Sequence, residues 1–314
     1  MTLSSATATV VPDAGYDGMT KVDVDATEYG TSNYNDGVLA QKAKLTEINI
    51  TENGTYTKED GYSKVVVDVK APTETIDLKT DIKFGYSTFS AMPFTLICDS
   101  GVTDMNSMFY ACNSLTTLDV SNFDTSNVTN MANMFSVCGN LTSLDVSNFN
   151  TSNVTDMKSM FYACHNLTTV NLSNFNTINV TNMYSMFSVC GNLTTLDVSN
   201  FDTSNVTNMA DMFYACNSLT TLDVSNFDTS NVTDMNYMFA NCQKLTTLDL
   251  SNFNTINVTN MGYMFIYCEN LTTVKVINCD ESTKNKILTQ LQTDLSSYTW
   301  TLGDDGIIRR SETT

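Results

Sequence analysis

A period of 26 residues governs most of this chain. Met105, Met131, Met157, Met183, Met209, Met235 and Met261 stand 26 positions apart, and Phe109 to Phe265, Cys112 to Cys268 and Leu115 to Leu271 keep the same register. A unit this short cannot bury its own apolar face, so copies must stack and share one continuous core. Residues 128–153 form one complete unit, VTNMANMFSVCGNLTSLDVSNFNTSN. Val128, Met131, Met134, Phe135 and Cys138 fall at helical intervals, which predicts about three amphipathic turns capped by Ser126, Asn127 or Thr129. Leu141, Leu144 and Val146 then give L-x-x-L-x-V, a short strand, with Phe149 turning back into the core. The expected fold class is an α/β repeat solenoid, one short strand plus one short helix per 26-residue coil. Seven coils at a strand spacing of ~4.8 Å extend about 30 Å.

Stacking places equivalent residues in columns. The seven repeat cysteines make a buried column of small, soft side chains; pairing them coil to coil would leave one over, so reduced thiols are expected. Cys98 and Cys279 lie outside that column. Cys279 keeps the register of the coil phenylalanines, one period beyond Phe253, and Ile97 does the same in front of the first coil. The unit M-x-x-M-F-x-x-C-x-x-L-T-x-L-D-V-S-N-F-x-T-S-N-V-T, over residues 101–276, resembles the BspA-like leucine-rich repeat family. That resemblance implies a leucine-rich-repeat-like solenoid and adhesion to surfaces.

The chain divides by pattern into 1–73, a β-rich attachment or oligomerisation region; 74–100, a leading cap; 101–278, the seven-coil solenoid; and 279–314, a C-terminal cap. In the first part the segments 15–24 and 61–69 echo each other with alternating valines behind Asp-Gly and Asn-Gly turns. They predict small antiparallel strands, and a short helix is expected around Val38 to Leu45. Glu52-Asn-Gly-Thr-Tyr56 followed by the Asp60-Gly-Tyr62 stretch and its valines resembles a short module of tailed-phage virion proteins from gut phages. Strand pieces of this size need partners, which suggests a homo-oligomer. At the other end, Ile287, Leu288, Leu291 and Leu295 predict a helix, and Tyr298–Leu302, a Gly-Asp-Asp-Gly turn and Ile307-Ile308 predict a hairpin. Together they make a helix-hairpin cap in which Trp300 reads as core.

Thirty-four Asp and Glu against 15 Lys and Arg set the net charge at -19. Phosphate backbones and anionic bilayers would repel such a chain, so no nucleic-acid partner and no membrane insertion are expected. The first ten residues hold neither the basic nor the apolar stretch of an export signal, which suggests synthesis and folding in a cytoplasm. A single histidine, His165, removes most acid–base and zinc chemistry. It follows Cys164, but that cysteine belongs to the core column, so a Cys–His nucleophile is not expected. Asp119, Asp145, Asp197, Asp223 and Asp249 occupy one strand position, with Asn171 and Lys275 in the other coils. Such a column invites calcium or a cationic ligand, yet bonds to neighbouring Ser and Thr account for it better. Asn127, Asn153, Asn205 and Asn231 stand in Asn-x-Thr sites, and satisfying turn backbone accounts for them better than glycan attachment. No catalytic residue, cofactor or metal ligand is assigned.

Variation among coils is concentrated on the segment around each cysteine, where tyrosines collect: Tyr110, Tyr162, Tyr184, Tyr214, Tyr237, Tyr263 and Tyr267. Tyrosine gives large amphipathic contact at low entropic cost, which makes this spread surface the candidate receptor contact. The function expected is a non-enzymatic bacteriophage virion appendage of fibre type, which presents the solenoid for host cell-surface attachment. Its partners would be a protein or glycan receptor on the host bacterium and, through the N-terminal region, other virion proteins. The alternatives are a BspA-like adhesin on a bacterial surface and a purely structural decoration of the particle.

Overall fold

The computed structural model describes residues 100–311, preceded by the strands β1 (Thr7–Pro12), β2 (Val22–Asp25), β3 (Leu45–Ile50), β4 (Thr55–Tyr56), β5 (Val65–Val67), β6 (Thr75–Leu78) and β7 (Thr95–Cys98). β1 pairs antiparallel with β2 and β3, whereas β3 and β5 run parallel, as do β4, β6 and β7. The N-terminal strands are therefore mixed rather than antiparallel throughout. Leu45 opens β3, and the rest of the expected helix at 38–45 lies outside the described residues. β7 leads into the repeats: Cys98 bridges Phe123 in parallel, donating to the Asn122 carbonyl at 3.2 Å and accepting from the Asp124 amide at 2.7 Å.

The repeats stack as a solenoid with one uninterrupted core. Val, Met, Met, Phe, Cys and Leu of successive units are fully buried in coils one to six, from Val102 and Met105 to Cys242 and Leu245, and in coil seven Met264, Phe265, Cys268 and Leu271 remain so while Val258 and Met261 are partly exposed. Phe109, Phe135, Phe161, Phe187, Phe213, Phe239 and Phe265 form a ladder of near-parallel rings with centroids 5.4–6.1 Å apart. A second ladder follows the strand, with Phe123 on Phe149 at 6.2 Å and Phe175 on Phe201 at 6.4 Å. Offset stacking of this kind adds about 0.5–1.5 kcal/mol per pair to the burial itself.

The expected helix in each coil is not there. Residues 131–138 instead form a spiral of overlapping turns. The amides of Met134, Ser136 and Cys138 bond back three residues, to Met131, Asn133 and Phe135. Those of Met131, Asn133, Phe135 and Val137 leave the coil for the carbonyls of Asp156, Lys158, Met160 and Tyr162 in the next. The turns need a left-handed residue twice per coil, at Asn133 (φ 56) and Val137 (φ 62) and their equivalents. An α-helix would satisfy its amides internally and is about 10 Å wide. Coils stacked at strand spacing have no room for that width, and bonds between coils replace bonds within a helix. Consecutive turns still bring every third or fourth residue to one side, so Met131, Met134, Phe135 and Cys138 are buried as a helix would bury them.

Leu141, Leu144 and Val146 are buried in an extended segment. It pairs in parallel where β8 (Ser143–Asp145) meets β9 (Thr169–Asn171) and where β10 (Thr247–Asp249) meets β11 (Thr273–Lys275). The return turn is held by a buried threonine: Thr151 donates to the Asn176 carbonyl at 2.9 Å and accepts from the Asn176 amide at 2.8 Å. After the last coil come α1 (Glu281–Asp294) and the antiparallel hairpin β12 (Thr299–Leu302) and β13 (Ile307–Ser311), with β13 pairing β11. The Asp280 side chain caps α1 on the Thr283 amide at 2.7 Å. Ile287, Leu291, Leu295, Trp300 and Ile308 are buried with the core of the last coil.

Candidate binding surface

The turn spiral sets the geometry of the candidate surface. Met105, Met108, Phe109 and Cys112 are buried, and Asn106, Ser107 and Tyr110 between them are partly exposed. Tyr110, Tyr162 and Tyr214 share one such position in coils one, three and five, so alternate coils separate them. Tyr162 is the most open of the three at 37%. Tyr184 sits one coil beyond Lys158, whose ammonium lies 5.4 Å from the ring centroid.

From coil five onward the tyrosines meet. The rings of Tyr214 and Tyr237 pack edge to face at 6.1 Å, and those of Tyr237 and Tyr263 stack at 5.0 Å. Tyr263 and Tyr267 remain 50% and 59% exposed. Tyr237, Tyr263 and Tyr267 occupy left-handed positions with φ of 55, 58 and 61. The first left-handed site of coils one to five holds Ser107, Asn133, Ser159, Ser185 and Asp211, small polar residues better suited to that backbone. Tyrosine there is a local cost that packing alone does not require.

Sequence reasoning missed Asp211 and Asp234. Asp211 is half-buried, and its carboxyl is raised above the usual range by that burial and then by the charge of Asp234, against a lowering hydrogen bond with Tyr184. The Tyr237 hydroxyl is likewise held high by desolvation, then by Tyr263, Asp211, Tyr214 and Tyr267. The seven tyrosines thus split into a strip of separated rings and a cluster around Tyr237. The signal was present in the sequence, since Asp211 is the one acid at its coil position.

The other sequence candidates have structural partners. Asp119, Asp145, Asp197, Asp223 and Asp249 each accept the amide two residues on, from Ser121, Ser147, Ser199, Ser225 and Ser251, at 2.9–3.1 Å. Bonds from the Ser121 side chain and amide hold Asp119 below the usual carboxylate range, and Ser199 does the same for Asp197. In the last coil Lys275 reaches Asp249 at 3.2 Å. Asn127, Asn153, Asn205 and Asn231 donate their side-chain amides to carbonyls of the preceding coil, at Ser100, Ser126, Ile178 and Ser204. Cys164 is fully buried, donates to the Phe135 carbonyl at 3.1 Å and is pushed by burial up to about 12, while His165 is exposed. These two residues do not form a dyad. Among the described residues no group of three His, Cys, Asp or Glu is placed to hold a metal ion, and no helix is long and apolar enough to cross a membrane.

Residues 97–195 and again 189–287 match the family described as "Mycoplasma protein of unknown function, DUF285". The chain is similar to a solved leucine-rich repeat protein from Bacteroides ovatus at 12% identity and a TM-score of 0.42, over 85% of this chain and 69% of that one. No curated protein matches it. The two family matches take in more than half of the sequence, and the chain belongs to the DUF285 family, the BspA-like type of repeat that its 26-residue units resemble.

Proposed function

We propose that this chain is a non-enzymatic attachment protein whose solenoid presents its turn face, and above all the Tyr214–Tyr237–Tyr263 cluster, to a cell surface. One observation carries the reading: the core columns keep their residues from coil to coil, while the turn face varies and accepts tyrosine at left-handed positions. Such residues supply rigid contact area at low entropic cost. In this reading the protein is a fibre-type appendage of a bacteriophage virion, anchored to other virion proteins and to its own copies through the N-terminal region. Several copies would turn a weak single contact into firm attachment. The phage-like motifs between Glu52 and Val69 support that location. Membership of a BspA-like repeat family supports the second reading, a bacterial surface adhesin using the same face.

The experiment is host adsorption by particles carrying Tyr237→Ser and Tyr263→Ser together. Adsorption should fall at least tenfold while particle yield is kept; unaltered adsorption would leave the solenoid a spacer. Detection of the chain in purified particles, rather than in cell-envelope fractions, selects the virion over the bacterial surface.

A further inference from the structure

We propose that Asp211 and the tyrosines around it form a site for a quaternary alkylammonium group of the choline type. The inference deepens the attachment reading and rests on it. Aromatic faces attract cations through their negative quadrupole, most effectively for a cation that sheds its water at little cost. The same strip already shows this contact within the chain, with the Lys158 ammonium over the ring of Tyr184. One coil beyond Tyr184 stands Asp211, which has no cationic partner among the described residues. Among the described residues the salt bridges are Lys275–Asp249, Lys284–Glu281 and Arg309–Asp305, and none of them reaches Asp211 or Asp234.

Asp211 holds in coil five the left-handed position that Tyr237 and Tyr263 hold in coils six and seven. Its carbonyl accepts from the Tyr214 amide at 3.0 Å and its amide donates to the Asn236 carbonyl, next to Tyr237, at 2.8 Å, so the backbone sets it against the packed rings of Tyr214, Tyr237 and Tyr263. A half-buried carboxylate, a second carboxylate next to it and a set of tyrosines therefore share one electronegative patch. A bound cation would relieve the repulsion between the two acids and the desolvation of Asp211 together. A quaternary ammonium has no N–H to satisfy, so it needs only one charge and ring faces. An anionic group would meet the opposing charge of a chain at -19. A neutral sugar would leave Asp211 uncompensated.

The test uses the full chain and ligand-observed NMR titration with two probes, choline and its uncharged isostere 3,3-dimethylbutan-1-ol. Choline should bind at least tenfold more tightly than the isostere. Asp211→Asn should lower choline affinity at least tenfold while melting at or above the wild-type temperature at pH 7, because it removes a carboxylate that the fold holds above its ordinary pKa. Tyr237→Ser should weaken choline binding as well, and Tyr110→Ser, in coil one, should leave it unchanged. Equal binding of the two probes, or choline affinity unaffected by Asp211→Asn, overturns the site. Adsorption separates the two readings. If Tyr237→Ser abolishes attachment while wild type ignores choline, the ammonium site falls and attachment stands. If choline binding needs Asp211 yet adsorption survives Tyr237→Ser, the site stands and the attachment role falls.

Discussion

At the scale of single residues, the cysteine column shows how one side chain serves the stack. From the second coil on, each thiol donates back to the carbonyl of a phenylalanine in the preceding coil: Cys138 to Phe109, Cys190 to Phe161 and Cys242 to Phe213 at 3.1 Å, and Cys268 to Phe239 at 2.9 Å. Burial raises Cys190, Cys242 and Cys268, the last to about 12, and raises Cys279, outside the column, to about 11. A thiolate is the reactive form, so the column should be inert wherever the coils stay closed. All nine cysteines of the chain are buried thiols. Ellman's reagent should therefore find none of them in native protein and nine in 6 M guanidinium without reductant; rapid native labelling of several would contradict the stacking. Cys→Ala within the column should cost about 1–2 kcal/mol through lost volume and the lost bond.

At the scale of the coil, the sequence was legible in its columns and misleading in its backbone. The 26-residue register identified Met131, Phe135, Cys138, Leu141 and Leu144 as core, and all five are buried. Burial at every third or fourth residue is shared by a helix and a spiral of turns, so periodicity alone could not separate them. The separating signal was weaker and lay elsewhere. Asn133 and Asp211 tolerate positive φ, whereas the methionines and Ala132 favour a helix and Val137 and Val189 gave no hint of a left-handed backbone. The tyrosines were visible as residues, but their clustering was not, because it depends on which coil positions become neighbours once turns replace helix. The same backbone makes a prediction. Val137 holds φ 62, unfavourable for a β-branched residue. Val137→Gly should leave stability unchanged or raise it by up to about 1 kcal/mol, whereas in a helix it would cost about 0.5 kcal/mol. Urea denaturation of Val137→Gly beside Val137→Ala measures the sign.

At the scale of the whole molecule, an array held by bonds between neighbours is only as secure as its ends. Every coil but the last passes four turn-spiral amides to the next, and coil seven has no successor to receive its own. The cap supplies one substitute: the Asp294 carboxylate, at the end of α1, accepts the Phe265 amide at 2.9 Å, where another coil would have offered a carbonyl. Thr283 does similar work at the return turn, accepting from the amide and the hydroxyl of Thr255 at 3.1 Å, and Lys286 donates to the Thr255 carbonyl at 2.8 Å. β13 then continues the strand column on β11, so the cap closes both sides of the coil in the idiom of the repeat. Residues 279–311 also cover an apolar end that contains Met264, Phe265, Leu271 and Val274. Removing them should leave coil seven without its cover, and loss of order should run inward from that end. Hydrogen exchange of the chain ending at residue 278 should show protection lost first in coil seven, then in coil six, with coils one to three retained and with self-association through the bared face. Asp294→Ala should reproduce the local part alone, with faster exchange at Phe265 and a cost of about 1–3 kcal/mol for its unpaired amide. Uniform loss of protection across all seven coils on truncation would mean that the stack unfolds as a single unit, with the cap holding the whole rather than the end.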